Sequence, residues 1–229
     1  MYEKALSLTG ERQVSHRNEV YAVTYNGIPC IRKKYIQEGV SQTEYETLKK
    51  LREAGVRVPD ILAFDGENIV LSFIEGMTYE AVLGAYEDGT MAEDEAFASA
   101  RALASWLFDY YAALKRKRGD INLRNFIWNG ENCFGVDFEE APDEAPFEED
   151  AGRMLTYTAA YRPICTPKKA RFCRELLKAF LSGGMDVSLI RRFALTEVSD
   201  MAVRRPKMGK SAPEIHAFIE KLFEEVLLS

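Results

Sequence analysis

Residues 118–141, RGDINLRNFIWNGENCFGVDFEEA, constrain this chain more than any other stretch. A long segment, AEDEAFASARALASWLFDYYAALKRKR, runs into it with Leu103, Leu107, Tyr110 and Leu114 on one helical stripe. Gly119 then permits a sharp turn. Phe126 to Trp128 reads as a short strand, Asn129-Gly130 as its turn, and Cys133 to Val136 as the return strand. A hairpin of this length brings Asn125 and Asp137 to the same end, with Asp120 one loop away. Whatever the fold, it must present two carboxylates and an amide from one loop and hairpin.

Upstream of the long helix the chain reads as β-rich with a single helix. EVYAVTY, residues 19–25, alternates as a strand does, Asn26-Gly27 is a strong hairpin signal, and IPCIRKKYI returns. On that return strand Cys30 and Arg32 point one way, Ile31 and Lys33 the other. SQTEYETLKKLREAG, residues 41–55, reads as a helix capped by Ser41 and closed by Gly55. Glu44, Leu48 and Leu51 share one of its faces, although Ser41 and Glu44 also have capping-box spacing. VRVPDILAF and NIVLSFIEG read as two more strands, split by Asp65-Gly66. Downstream, helical segments fall near 148–160, 167–182, 186–200 and 211–228. The expectation is an α+β fold in two lobes: a small antiparallel sheet with one helix over 1–75, and a mainly helical part over 76–229 that carries the 118–141 loops.

Composition removes several function classes. Thirty basic against 36 acidic residues give a net charge of −6, which argues against a partner held by bulk attraction to nucleic acid. Two histidines, neither in a recognisable motif, disfavour imidazole-based hydrolysis. Four cysteines without a CxxC pair disfavour zinc and suit reduced, buried thiols. No apolar run approaches the roughly 18 residues of a membrane span, and MYEKALSLTGERQ lacks a signal-peptide core, so a cytoplasmic location is expected.

The spacing in 118–141 suits phosphoryl transfer. Magnesium prefers hard oxygen ligands and few protein groups. Asp137 offers a carboxylate and Asn125 an amide oxygen, which leaves Asp120 free to orient an acceptor hydroxyl and take its proton. Catalysis of this kind is mostly positioning and charge neutralisation, and it needs a cation on the phosphates. The β-rich part can supply one.

Gly119-Asp120, Asn125 five residues on, and Val136-Asp137-Phe138 together resemble the catalytic and metal-binding loops of the protein-kinase-like superfamily. The likeness is greatest to its atypical branches: aminoglycoside phosphotransferases, choline kinases, lipopolysaccharide core kinases, RIO kinases and the small kinase of the KEOPS complex. It runs from about residue 14 to 160. The CIRKKY strand is similar to the one that carries the phosphate-pairing lysine, which implies Lys33, with Arg32 as the alternative. The E-x-x-x-L-x-x-L pattern ending in AGVRVPDIL implies Glu44 as that lysine's ion-pair partner. IVLSFIEG resembles the hinge, which implies adenine contacts from the Ser72 carbonyl and the Ile74 N–H, with Leu71 lining the pocket. Asp120 is then the catalytic base, Asn125 and Asp137 the metal ligands, and ATP and Mg2+ the cofactors, with ATP between the lobes. Asp150 resembles a helix acid that braces the catalytic loop; its other reading is an acid favoured by the helix macrodipole.

The chain also departs from that pattern. Gly10 stands alone where a glycine-rich loop is usual, Arg118 replaces a histidine, Glu139 replaces the glycine of Asp-Phe-Gly, and Pro142 to Glu149 is short for a switchable activation segment. The short segment favours a non-protein hydroxyl acceptor over a regulated protein substrate. The lost loop glycines and histidine keep a second reading in place, a kinase-shaped scaffold that binds nucleotide without transfer, and the chain length keeps a third, an ATPase subunit of a KEOPS-like complex. The RRPKMGK run, residues 204–210, reads as a solvated loop or a docking patch for an anionic partner.

Overall fold

A computed structural model describes residues 6–13, 18–140, 143–205 and 210–228. The chain divides into two compact units, one of residues 1–75 with 134–141, the other of residues 76–133 with 142–229. Among the described residues of the first unit, five strands form an antiparallel sheet: β1 (Leu6–Gln13), β2 (Asn18–Tyr25), β3 (Ile28–Tyr35), β4 (Ile61–Phe64) and β5 (Asn68–Ser72). Their order is β1-β2-β3-β5-β4. Asn26 and Gly27, both at positive φ, make the β2–β3 turn that their sequence foretells. Cys30 packs against Val23 and Val70 on one face of the sheet. Lys33 and Tyr35 are buried on the other, beside helix α1 (Val40–Glu53).

Three local expectations change. Ser41 does not cap α1. The cap is Gly39 at φ 81, and the Ser41 hydroxyl donates to the Gly66 carbonyl instead. This removes the capping-box role for Glu44, whose side chain is fully buried. In VRVPDILAF only residues 61–64 form a strand, because Pro59 has no N–H to give a ladder. Finally, residues 134–141, expected with the helical part, cluster with the first unit. Gly135 N–H donates to the Arg57 carbonyl at 3.2 Å, and the residues after it bond to β3 and α1.

The second unit opens with β6 (Met77–Thr78) and α2 (Tyr79–Asp88), which Thr78 caps through the Ala81 N–H. Helix α3 (Glu93–Leu114) follows and stops at Lys115, which takes a left-handed conformation at φ 56. β7 (Phe126–Trp128) pairs antiparallel with β6, and β8 (Cys133–Gly135) begins in this unit. The remaining helices among the described residues are α4 (Glu148–Ala160), α5 (Pro167–Ser182), α6 (Val187–Arg204) and α7 (Ala212–Leu227). Pro206 to Gly209 of the basic run lie outside the described residues. No described helix is long and apolar enough to cross a membrane.

Helices α4 and α6 meet backbone to backbone. A Cβ on Gly152 would lie 2.6 Å from both the Ala194 nitrogen and the Ile190 oxygen. Thr156 Oγ1 donates to the Ala194 carbonyl one turn further on, at 2.9 Å. Gly152→Ala therefore forces these helices apart. The expected cost is about 1–3 kcal/mol, the usual range for overpacking, read as a lower midpoint in chemical denaturation. An unchanged midpoint would show that the contact is looser than its geometry.

Candidate active site

In the first unit, a buried ammonium gathers three carboxylates. Lys33 Nζ lies 3.1 Å from each oxygen of Glu44, 2.7 Å from Asp137 Oδ1 and 3.5 Å from Glu139 Oε1. Burial alone would push Lys33 down, but the charges of Glu44, Asp137 and Glu139 outweigh it and hold the ammonium above its ordinary range. Burial, then the charge of Asp137, pushes the Glu139 carboxyl up against the pull of Lys33. Glu44 is held by more than its ion pair. The Tyr35 hydroxyl donates to one oxygen and the Phe138 N–H to the other, the latter at 3.3 Å. Arg32, the alternative to Lys33, is directed elsewhere, donating to Asn68 Oδ1 at 3.2 and 2.9 Å.

Asp137 adopts φ 66, a left-handed conformation uncommon for a residue with a side chain, although aspartate takes it more readily than most. Three acids around one base leave surplus negative charge and an all-oxygen donor set, which fits a hard divalent cation. Of the residues expected at the hinge, Leu71 is buried opposite Ile31. Ser72 pairs with Cys30 and exchanges two bonds with Asp60, through its N–H at 2.9 Å and its hydroxyl at 2.8 Å. Ile74 follows the end of β5, half-buried.

In the second unit, Asp120 and Asn125 meet directly. Asn125 Nδ2 donates to Asp120 Oδ2 at 2.8 Å, which fixes the amide and leaves its oxygen as the acceptor. A single 3-10 turn, Leu123–Asn125, sets that spacing. Asn122 caps the turn through the Arg124 N–H at 3.1 Å, and the Tyr161 hydroxyl donates to the same Asn122 oxygen at 2.7 Å. Gly119, at φ +79 with open space around it, is required by its conformation rather than by crowding.

The backbone around Asp120 is held at successive groups. Asp150 is fully buried and accepts from the Arg118 N–H at 2.6 Å, the Gly119 N–H at 3.1 Å and the Tyr111 hydroxyl at 3.1 Å. It braces the loop and is not merely a helix-end acid. Arg153 Nη1 donates to the Gly119 carbonyl at 2.9 Å, and Arg118 Nε to the Asp120 carbonyl at 2.8 Å. The Arg118 guanidinium lies 5.3 Å from the Trp106 ring centroid and 4.7 Å from that of Phe126. The arginine that replaces a histidine is thus packed as a buried aromatic-stacked cation. Sequence reasoning missed Tyr35, Arg153 and Tyr161. Arg153 alone had a usable signal, since it follows Asp150 by three residues on the same helix face.

The sequence profile of the RIO domain family matches residues 12–155. No curated protein matches the chain significantly. Among solved structures, the gentamicin complex of the aminoglycoside phosphotransferase APH(2")-IIa has a TM-score of 0.59 at 15% identity, covering 100% of this chain and 94% of that one. At that identity the likeness speaks for the fold: an antiparallel sheet unit followed by a mostly helical one.

Proposed function

This chain belongs to the RIO domain family, within the protein-kinase-like superfamily of ATP-dependent kinases and phosphotransferases, and from that premise we propose that it moves the γ-phosphate of ATP to the hydroxyl of a small molecule, sugar or glycolipid. The observation that carries this reading is the buried Lys33 held by Glu44 next to Asp137. A buried cation with that much negative charge around it is suited to meet a polyphosphate and its metal. Lys33 pairs with the nucleotide phosphates, and Glu44 fixes its direction. Leu71, Ser72 and Ile74 receive the adenine.

Asp137 and Asn125 would hold Mg2+, which when bound neutralises charge on the phosphates. Asp120 orients the acceptor hydroxyl and takes its proton, with its carboxylate aimed by the Asn125 amide. The preference for a non-protein acceptor rests on the segment after Asp137. Lys117 and Asp143 exchange backbone bonds at 3.0 and 3.3 Å, and Lys117 Nζ reaches Glu149 at 2.6 Å. A segment tied down this way is poorly suited to switching by phosphorylation.

The test is a melting scan with ATP and Mg2+. At 100 times its dissociation constant the nucleotide should stabilise the protein by about 2.7 kcal/mol. Asp137→Ala should remove most of that shift. No shift in the parent protein would sink the proposal. A shift without turnover against a library of hydroxylated metabolites would favour a nucleotide-binding scaffold instead.

A further inference from the structure

Glu197 sits where packing alone calls for an apolar residue. It lies on the face of α6 that buries Ile190, Ala194, Val198 and Met201, and it is 3% exposed. A carboxylate there is costly unless it is paired and hydrogen-bonded. It is paired twice. Glu197 Oε2 accepts from Arg153 Nε at 3.2 Å, and Oε1 accepts from Arg204. The Gly152 contact between α4 and α6, one residue before Arg153, brings these helices close enough for the pair to form.

Arg153 is the residue that holds the Gly119 carbonyl, immediately before Asp120. Its guanidinium lies 5.9 Å from the Tyr157 ring centroid, and Nη2 donates to the Tyr157 hydroxyl at 3.3 Å. With Glu197 and Phe193, Arg153 lines a cavity of about 360 Å³, and it is 23% exposed. Beyond Tyr157, its direction is set by acids: Glu197 accepts a hydrogen bond from it, and the charge of Asp150 lies close by. Glu149, another acid nearby, is 3.8 Å away and already bonded to Lys117.

We infer that Glu197 is a positioning residue for the catalytic loop, acting through Arg153 to fix the backbone that carries Asp120. Glu197 lies beyond the residues matched by the family profile, so this gives the C-terminal helices a role at the reaction centre. The inference rests on the phosphotransfer reading only for its effect on turnover; the effect on the loop is independent of it.

The experiment compares the full-length parent with Glu197→Gln and Arg153→Lys. Each keeps a hydrogen-bonding group of similar size. Amide hydrogen exchange over residues 118–122 is measured beside α5 as an internal reference, together with the kinetics of Mg–ATP turnover. The expected result is faster exchange in 118–122 with α5 unchanged. It is joined by a fall in kcat on the order of tenfold or more, since small misplacements of reacting groups are that costly, and a KM for ATP within about twofold. The double variant should lose no more kcat than the worse single one, because both changes break one chain of contacts. Unchanged exchange in 118–122 would overturn the inference. So would faster exchange throughout α5, which would make Glu197 a general stability residue. If the parent protein shows no Mg–ATP turnover, the phosphotransfer reading fails, while the exchange result still judges the clamp.

Discussion

Asp120→Ala should lower phosphate transfer by about 10²- to 10⁴-fold, the usual contribution of a positioned general base. ATP and Mg2+ should still raise the melting temperature of this variant, because the residues proposed to hold the nucleotide phosphates and adenine lie elsewhere, at Lys33, Glu44 and the end of β5. The carboxylate is bonded locally, accepting from Asn125 Nδ2 at 2.8 Å and the Asn122 N–H at 3.3 Å. Removing it disturbs little beyond the loop, since Asp150, Arg153 and Arg118 hold the backbone from the other side. Asp120→Asn is the sharper variant. It keeps the size and an acceptor oxygen but loses the base, so it should be nearly as slow as alanine. If either variant turned over ATP within about threefold of the parent, Asp120 would not be the base. Retained nucleotide binding with lost turnover separates this outcome from a misfolded protein.

The Asp120–Asn125 contact was legible because it is local. A 3-10 turn fixes the distance from Asp120 to Asn125 within one loop, so the five-residue spacing carries the contact. Strand alternation put Lys33 and Arg32 on opposite faces but did not choose between them; the resemblance of CIRKKY favoured Lys33, and the fold buries it and turns Arg32 to Asn68. Glu44 was not decided by sequence, because Ser41-x-x-Glu44 satisfies a capping pattern as well as an inward face. Tertiary structure decides it: the β4–β5 turn takes the Ser41 hydroxyl at Gly66, and Lys33, Tyr35 and the Phe138 N–H take the Glu44 carboxylate. The grouping of residues 134–141 with the sheet unit was hidden for the same reason. Its determinants, Arg57, Lys33 and Asn18, are distant in sequence. Glu197 carried only a faint signal, a charge on an otherwise apolar helix face, and nothing in one sequence names its partner.

Lys33→Met should destabilise the protein by about 3–5 kcal/mol, the cost of leaving a buried charge without its partner. The methionine fills the space, so lost packing contributes little. What remains is Glu44, fully buried, with the Tyr35 hydroxyl and the Phe138 N–H as donors and with Asp137 and Glu139 no longer offset by an ammonium. In a chain of this size the loss should appear as a fall in Tm of roughly 10 °C. Glu44→Gln alone should cost less, because Lys33 keeps two carboxylates. The double variant Lys33→Met with Glu44→Gln should recover much of the loss, since a neutral buried amide is far cheaper than a stranded carboxylate. Turnover should not recover with it. Losing one cationic donor to the phosphates typically lowers kcat by about 10²-fold or more, and restoring the fold does not replace that donor. Thermal melts of the three variants beside Mg–ATP turnover make the comparison. A Lys33→Met protein that melts with the parent would show that Lys33 does not compensate Glu44. A double variant that regains both Tm and turnover would remove Lys33 from the phosphate site, and with it the reason to place nucleotide chemistry at this cluster.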